Sequence, residues 1–257
     1  MATTISLPQH TGQIQRIRIP RYTGDILQDV RQFRTIKSCE AVTGTLSKPS
    51  KMPGWSYSLP ASRCRTGSKL ARIPGTVCYG CYAADDWEWL NQPGRKSRYS
   101  NYAFPNVREA MERRLQSLQD PQWVPAMVSI IRKRCSPTVP FRWHDSGDIQ
   151  SIEHLQNIAS VASATPDVQH WIPTREYRDV DTFLERFGSF PANLAVRVSA
   201  HRIGQAAPRR FALSSIVVDD PSATDAHICP APDQGGVCGD CRACWNVDVP
   251  RVAYRQH

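Results

Sequence analysis

The pattern of apolar and polar positions in this chain predicts regular secondary structure from about residue 105 onward. Apolar residues recur at helical spacing after Pro105, after Pro121 and after Ser151, and each of these residues is of a type common where helices begin. A fourth, shorter helix is predicted to end at Gly188, because glycine accepts the left-handed conformation that often follows a helix.

Short apolar segments alternate with these helices and predict β-strands. Strand–helix–strand repeats of this length form right-handed crossovers and therefore a parallel sheet. The predicted fold class is α/β, either a partial (β/α) barrel or an open parallel sheet, with cysteine-rich loops on its N- and C-terminal sides. The predicted strands span residues 139–143, 168–173, 194–199 and 215–218.

Periodicity is weak towards both ends of the chain. The N-terminal part is rich in Pro, Thr, Ser and Gly, and predicts a short strand at 14–19, a short helix at 26–33 and an irregular loop at 43–60. We expect one domain overall. Its regions are an irregular N-terminal segment at 1–60, an α/β core at 61–225 and a cysteine-rich extension packed on that core at 226–257.

Length and composition disfavour several classes of protein. The chain of 257 residues has no apolar run of about eighteen residues and no apolar N-terminal segment, so neither a membrane span nor a secretory signal is predicted. Its nine cysteines are an odd number in a long chain without an export signal. This favours reduced thiols in a cytoplasm over a disulfide scaffold.

The chain is basic, with a formal net charge of +9 and a pI of about 9.3. Such an excess favours association with polyanions, so nucleic acid is a candidate partner, whereas no membrane partner is expected. The charge is spread along the chain rather than concentrated in a tail. A solvated, arginine-rich surface is therefore the alternative explanation.

Four cysteines in the C-terminal extension have the spacing of a metal site. Cys238, Cys241 and Cys244 follow one another at two-residue intervals, and Cys229 lies a little upstream. Zinc sites typically pair two C-x-x-C halves across a longer loop, whereas a [4Fe–4S] cluster accepts closely spaced thiolates and one from further away. We therefore expect one iron–sulfur cluster on these four cysteines.

A second candidate metal site consists of Cys64, Cys78 and Cys81. Nearby basic residues would stabilise thiolates, which favours a metal or cluster, although a zinc half-site or three unrelated buried thiols are alternatives. Cys39 is a candidate fourth ligand, and Cys135 is expected to be a plain thiol. The aromatic residues expected to cover this loop are Tyr82, Trp87 and Trp89.

The first predicted strand ends in a polar sequence. Ligands of parallel sheets bind at the carboxyl ends of strands, so we expect this segment to bind a cofactor or substrate. His144 and Asp145 are the candidate catalytic residues for acid–base work, while a structural alternative is that Asp148 caps the next helix. The candidate cofactor-binding residues of this segment are His144, Asp145, Ser146 and Asp148.

Two further strand ends contribute candidates. Arg175 is positioned to bind a carboxylate or phosphate, and an ion pair with Glu176 or Asp179 is the alternative. Ser199 is a candidate cofactor-binding residue, with His201 close behind it. No G-x-S-x-G element accompanies these two residues, which disfavours a serine hydrolase.

These motifs resemble a bacteriophage family called gene product 88, over about residues 55–250. The resemblance implies a phage origin, and hence the host cell cytoplasm, without implying an activity. It is carried by SYSLPA from Ser56, CYGCYA from Cys78, FPNV from Phe104, HDSGD from His144, CPAP from Cys229 and CGDCRACW from Cys238.

A looser similarity is to radical S-adenosylmethionine enzymes, which hold a [4Fe–4S] cluster on three cysteines of a partial barrel and leave one iron open for the cofactor. This resemblance implies that Cys64, Cys78 and Cys81 hold such a cluster and that S-adenosylmethionine is a cofactor. Residues 144–148 match the position of the segment that binds its amine, and residues 229–244 match an extension for a further cluster.

Two functions are therefore predicted. The first is a phage-encoded iron–sulfur protein with one or two [4Fe–4S] clusters, acting as a radical-SAM-like enzyme or as a redox protein. The alternative is a zinc-stabilised, basic nucleic-acid-binding protein.

Overall fold

A parallel β-sheet is the central element of the computed structural model, which describes residues 24–79, 81, 83 and 104–256. Seven strands within these residues form it in the order β1-β2-β3-β4-β5-β7-β6, and the sheet does not close into a barrel. The predicted α/β class is confirmed in its open-sheet form. The strands are β1 (Trp55–Tyr57), β2 (Phe141–Trp143), β3 (His170–Thr174), β4 (Leu194–Ser199), β5 (Ser214–Val218), β6 (His227–Ile228) and β7 (Arg251–Arg255).

Helices pack on one face of this sheet. The described α-helices are α1 (Ile26–Asp29), α2 (Ile36–Thr43), α3 (Gly67–Leu70), α4 (Pro105–Ser117), α5 (Trp123–Arg134), α6 (Ile152–Ser163) and α7 (Tyr177–Phe187). Short 3-10 turns lie at Val30–Gln32, Ala61–Arg63, Pro221–Ala223 and Ala231–Gln234. None of the described helices is long and apolar enough to cross a membrane.

The core lies between the helices and alternate residues of the strands. Trp143 of β2 is fully buried against Trp123 of α5, with ring centroids 6.0 Å apart. Trp143 also stacks on His170 of β3, at 6.1 Å. All six residues of β4 are buried, as expected for a parallel strand that is covered on both faces.

The C-terminal segment covers the opposite face of the sheet. Trp245 donates from Nε1 to the carbonyl oxygen of Phe141 at 2.9 Å, and its ring lies 5.1 Å from that of Trp171. The Arg142 guanidinium lies 4.4 Å from the centroid of the same Trp171 ring. Because alternate strand residues point to opposite faces, Arg142 points away from the helix-side core.

The strongest sequence patterns predicted their elements accurately. Strand β4 has the predicted bounds. Helix α6 begins after Ser151, whose hydroxyl accepts from the amide of His154 at 3.2 Å. Helix α7 ends at Gly188, which has a φ of 77°.

The N-terminal predictions were less accurate. Residues 43–60 were predicted to be an irregular loop, and this is wrong, because they contain β1, which pairs with β2. A three-residue strand carries too little periodicity to be recognised. Helix α2 likewise lies within the segment predicted to be irregular. The predicted strand at 14–19 lies outside the described residues.

The C-terminal extension does more than pack on the core. It supplies β6 and β7, and β7 pairs with both β5 and β6 inside the sheet. Residues 226–256 therefore complete the sheet as well as covering one of its faces.

Candidate functional site

Loops that follow the strands meet at one edge of the sheet because every strand is parallel, and ligands bind at this edge in such folds. Cys64 lies after β1, Asp148 after β2, Arg175 after β3 and His201 after β4. The first cysteine site and part of the predicted ligand site thus share one location.

Backbone hydrogen bonds bring the other two cysteines to this edge. The amide of Val77 donates to the carbonyl of His201 at 3.0 Å, which ties the residue before Cys78 to the loop after β4. The amide of Cys81 donates to the carbonyl of Cys78 at 3.0 Å and closes the C-x-x-C turn. We call Cys64, Cys78 and Cys81 the edge group.

Gly67 leaves a small space between two sulfur atoms of the edge group. It is buried at the start of α3. A Cβ at this position would lie 3.5 Å from Sγ of Cys78, 3.6 Å from Sγ of Cys64 and 3.0 Å from Cβ of Cys64. The two sulfurs therefore line one space that a side chain at residue 67 would fill.

Burial favours the neutral form of the edge-group thiols. It raises the pKa of Cys64 well above its ordinary value, with the charge of Asp148 adding to the effect and Arg175 opposing it. Burial also raises the pKa of Cys78 to about 11, again opposed by Arg175. A metal reverses this preference because it binds the thiolate. Soft sulfur donors buried together fit an iron–sulfur cluster or zinc.

Asp148 is buried beside the edge group and is held in place by hydrogen bonds. Its carboxylate accepts from the Thr174 hydroxyl at 2.6 Å, from the Arg175 amide at 2.9 Å and from the Ile149 amide at 2.8 Å. Burial, with the nearby charge of Glu176, raises the pKa of Asp148 to about 6. Asp148 thus joins the β2 and β3 loops. The alternative that it caps the next helix is wrong, because Ser151 is the N-cap of α6.

Glu176 fixes the segment that carries Cys64. Its carboxylate accepts from the Thr66 amide at 2.7 Å and from the Thr66 hydroxyl at 3.0 Å. Arg65 pairs with both Glu176 and Asp179. Both carboxylates suggested as partners of Arg175 are therefore bound to Arg65. Within the described residues Arg175 forms no ion pair, and its buried Nε has no hydrogen-bond partner.

The turn at residues 144–148 packs against the segment that leads to Cys64. The Ser146 hydroxyl donates to the carbonyl of Leu59 at 3.0 Å, and the Leu59 amide donates back to the carbonyl of Ser146 at 2.8 Å. Gly147 has a φ of 85°, and a Cβ there would lie 2.6 Å from Cβ of Leu59. Only glycine fits this turn, so the turn and the segment leading to Cys64 form one packed unit.

His144 lies in the core, between the sheet and α6. It is 2 % exposed, and its ring lies 5.2 Å from that of His154. Burial lowers the pKa of His144 well below its ordinary value, so the imidazole is neutral. Asp145 interacts with the buried Arg114. Burial lowers the pKa of this guanidinium, and Tyr57 and Asp145 oppose that fall. Neither candidate catalytic residue is brought to the edge group in the way that Asp148 is.

Ser199 and His201 do not form a nucleophile–base pair. The Ser199 hydroxyl lies 3.0 Å from that of Ser215, and its carbonyl accepts from the Tyr177 hydroxyl at 2.8 Å. The His201 ring instead stacks on Tyr177, with centroids 4.3 Å apart. The predicted cofactor-binding Ser199 thus lies within a strand-to-strand contact.

The C-terminal cysteines gather on the sheet face opposite the helices. The amide of Cys229 donates to the carbonyl of Ala253 in β7 at 2.8 Å. The amide of Cys238 donates to the carbonyl of Lys51, in the segment before β1, at 2.9 Å. We call these four residues the face group: Cys229, Cys238, Cys241 and Cys244.

Arg197 of β4 anchors the segment that carries the face group. It is fully buried, and its guanidinium donates only to backbone carbonyls. The acceptors are Cys244 at 2.8 Å, Val249 at 2.8 Å, Ala243 at 2.8 Å and Asn246 at 2.6 Å. No carboxylate in the described residues pairs with Arg197. Its buried positive charge is therefore available to stabilise thiolates nearby.

Polar side chains contact two sulfurs of the face group. The Tyr254 hydroxyl lies 3.2 Å from Sγ of Cys244, and Nε2 of His227 lies 3.4 Å from Sγ of Cys241. Burial raises the pKa of Cys244 to about 11, while the Tyr254 hydrogen bond and the charge of Arg197 oppose this. The pKa of Tyr254 is itself raised well above its ordinary value by burial, so its hydroxyl stays protonated and is able to donate to a thiolate at Cys244.

Sequence reasoning missed the polar residues around the face group. Arg142 and Arg197 alternate with apolar residues inside predicted strands. Buried parallel strands are mostly apolar, so a basic residue within one was the signal that could have identified them. No signal pointed to the other two, because their proximity to sulfur depends on how β6 and β7 pair. The missed residues are Arg142, Arg197, His227 and Tyr254.

The remaining cysteines lie apart from both groups. Cys39 is fully buried in the core, where its thiol donates to the carbonyl of Thr35 at 3.2 Å. Cys135 ends α5, and burial raises its pKa to about 12. All nine cysteines are free thiols. The covering aromatics Tyr82, Trp87 and Trp89 lie outside the described residues.

Among the described residues, no three side chains of His, Cys, Asp or Glu converge closely enough to hold a single metal ion. A zinc ion binds sulfur at about 2.3 Å, so its ligands converge on one point. A four-iron cluster instead spreads its thiolate ligands over separate iron atoms.

Comparison with known proteins gave one family. The model of the family described as Gene product 88 matches residues 32–247. No curated protein and no solved structure matches this chain.

Proposed function

We propose that this chain, which belongs to the Gene product 88 family of bacteriophage proteins, is an iron–sulfur protein with [4Fe–4S] clusters at the edge group and the face group. The observation that carries the proposal is the gathering of seven of the nine cysteines into two groups, each beside arginine side chains. The protein would act in the reducing cytoplasm of the host cell, where thiols stay free to bind iron.

The edge group is suited to catalysis. Three thiolates on a four-iron cluster leave one iron without a protein ligand, as in radical S-adenosylmethionine enzymes. Arg175 and Asp148 lie beside these thiols and offer one cation and one carboxylate to a ligand. Arg175 would bind the carboxylate of S-adenosylmethionine and Asp148 its amine. The cluster, when bound, supplies one-electron chemistry.

The face group is suited to electron transfer. Its four thiols are enough to complete the coordination of a four-iron cluster without an external ligand. Cys238 has its pKa raised by burial and by the neighbouring thiols Cys229 and Cys241, while Arg142 opposes that rise. Arg142 and Arg197 would therefore balance the negative charge of a thiolate-bound cluster.

Metal analysis of matched variants tests the proposal. Protein prepared without air is expected to be brown and to contain iron and sulfide in equal amounts. Cys78→Ser should lose the edge cluster, and Cys241→Ala the face cluster, each retaining the iron of the other group. Cys135→Ser is the control and should keep both, because Cys135 lies apart from both groups.

Electron paramagnetic resonance separates the two proposed roles. Added S-adenosylmethionine should change the spectrum of the reduced wild-type protein and of Cys241→Ala, but not that of Cys78→Ser. Air-protected wild-type protein that contains zinc alone, or no metal, would refute the iron–sulfur assignment.

A zinc-stabilised nucleic-acid-binding protein is the second candidate. The observation that favours it is the face group, because cysteine thiolates are common ligands of structural zinc, and a zinc ion would draw these four neighbouring side chains together on binding. In that case the protein would be colourless, and Cys241→Ala would release zinc.

A further inference from the structure

Exposed cations lie on the segments that carry the edge group and on the neighbouring loops at the same edge of the sheet. Arg63 directly precedes Cys64, Lys69 and Arg72 belong to α3 and the turn after it, and Arg178 lies in the first turn of α7. The loop after β4 adds two more. The exposed members of this rim are Arg63, Lys69, Arg72, Arg178, Arg202 and Arg209.

The rim belongs to one location in the fold. Thr76 and Arg202 form an isolated β-bridge, and the amide of Ile203 donates to the carbonyl of Gly75 at 3.2 Å. The loop after β4 and the segment between Arg72 and Cys78 are therefore held side by side.

Acidic residues do not offset this rim. Segments 59–79, 144–148, 174–180 and 199–211 carry nine basic residues and four acidic ones, whereas the whole chain has 32 basic and 23 acidic residues. Glu176 and Asp179 are bound to Arg65. Asp145 interacts with the buried Arg114, and Asp148 is 4 % exposed. These segments therefore carry a larger share of basic residues than the chain as a whole.

The composition of the rim favours phosphates as its partners. Five of its six residues are arginine, whose planar fork matches phosphate oxygens in pairs. Tyr79, next to Cys78, is 40 % exposed and offers a ring on which a base can stack. Cations spread over several loops suit a polymer of phosphates better than one small anion.

We propose that a single-stranded nucleic acid docks on this rim, with its phosphates on the exposed cations and a base on Tyr79. The docked strand then presents a nucleotide to the edge group. The reaction at that nucleotide rests on the proposed iron–sulfur function, whereas binding of the strand does not require a cluster.

Salt-dependent binding of a fluorescein-labelled oligonucleotide tests this inference. The rim variant combines Arg72→Gln, Arg178→Gln and Arg202→Gln. Each lost phosphate contact should lower the slope of log affinity against log salt by about 0.7, so the variant should lose about 2 units of slope. At moderate salt its Kd should rise at least about tenfold.

A control variant removes the same charge elsewhere. Arg31, Arg34 and Lys37 are exposed around α1 and α2. Changing these three to Gln should leave the slope and the Kd close to those of the wild type. Equal losses in the rim and control variants would overturn the proposal, because they would indicate a general charge effect.

Substitutions of Tyr79 test the base-stacking part of the proposal independently. Tyr79→Ala should weaken binding several-fold with no change of salt slope, and Tyr79→Phe should bind like the wild type, because stacking needs only the ring. Equal binding of Tyr79→Ala and the wild type would contradict the base-stacking part of the proposal.

Competition by another polyanion and the measured metal content distinguish nucleic acid from an acidic protein partner, and iron from zinc. Poly-glutamate that displaces the oligonucleotide as well as unlabelled nucleic acid does would overturn the proposal in favour of an acidic protein partner. Iron is measured on the same samples. Rim-dependent binding by protein that contains only zinc would refute the iron–sulfur function and leave the docking surface intact.

Discussion

The most informative single residue is Gly67, because its missing side chain keeps open the space between two sulfurs. Its backbone needs no left-handed conformation, so the glycine is explained by space alone. A Cβ would meet Cβ of Cys64 at 3.0 Å, closer than side-chain carbons normally approach. Residue 67 therefore limits how much space lies between Cys64 and Cys78.

Gly67→Ala is predicted to separate stability from metal binding. Alanine favours helix over glycine by about 1 kcal/mol, so the fold should be kept. The added methyl group should crowd Cys64 and Cys78, and the iron content should fall towards that of Cys78→Ser. Metal analysis and urea unfolding measure the two effects. Ser68→Ala is the control; full iron in Gly67→Ala would show that the cluster does not use this space.

At the scale of elements, β4 is tied to the C-terminal segment by Arg197. Four carbonyls of residues 243–249 depend on this one guanidinium. Buried carbonyls that lose their donor cost about 1–3 kcal/mol each. The position of the face group over the sheet thus depends on a residue of a central strand.

Arg197→Lys is predicted to destabilise the chain despite keeping the charge. Lysine cannot reach four acceptors in one plane, so the free energy of unfolding should fall by about 3–5 kcal/mol. Face-group iron should fall as well. Arg255→Lys in β7 is the control, since its ion pair with Asp233 is exposed and should change stability by less than about 1 kcal/mol. Equal stability of the two variants would contradict the anchoring role.

At the scale of the whole molecule, the core holds several neutral histidines. Burial lowers the pKa of His154 and of His170 to about 3 and that of His144 well below its ordinary value. The unfolded chain binds protons at these sites near pH 6.5. Between about pH 6.5 and 3 the unfolded state therefore binds more protons, and the free energy of unfolding falls as the pH falls.

Acid sensitivity of the fold is the corresponding prediction. For His170 alone, a pKa difference of about 3.5 corresponds to about 5 kcal/mol over the whole window. His170→Gln should be less stable than the wild type at pH 7, because it loses the 2.8 Å contact with Thr165. Its free energy of unfolding should nevertheless fall by less than that of the wild type when the pH is lowered from 7 to 5. Urea unfolding at several pH values measures this; parallel curves would show that His170 does not titrate on unfolding.

Much of the central fold was predictable from sequence. Helix α6 and strand β4 have long apolar patterns and clear boundary residues, and their burial in the core follows from those patterns. Strand β1 was missed because three residues carry no usable period. The pairing of β7 between β5 and β6 was missed because strand order depends on contacts between distant segments.

The candidate site was predictable to a similar extent. Cysteine spacing identified both groups, and location at a strand end identified Asp148 and Arg175. The same reasoning selected His144, which the structure buries against His154. A strand-end position does not determine the direction of a side chain, because that depends on the local turn, here with His144 at a φ of 52°.

The sequence by itself determined the α/β class, the cysteine groups and the excess of positive charge, since these follow from local periodicity, spacing and composition. Tertiary structure alone decided that Arg197 anchors the face group and that Arg65 binds Glu176, with no ion pair to Arg175 among the described residues. It also decided that the loop after β4 lies beside the segment that leads to Cys78. These properties depend on distances between residues far apart in the chain, which are set by how the strands pair and pack.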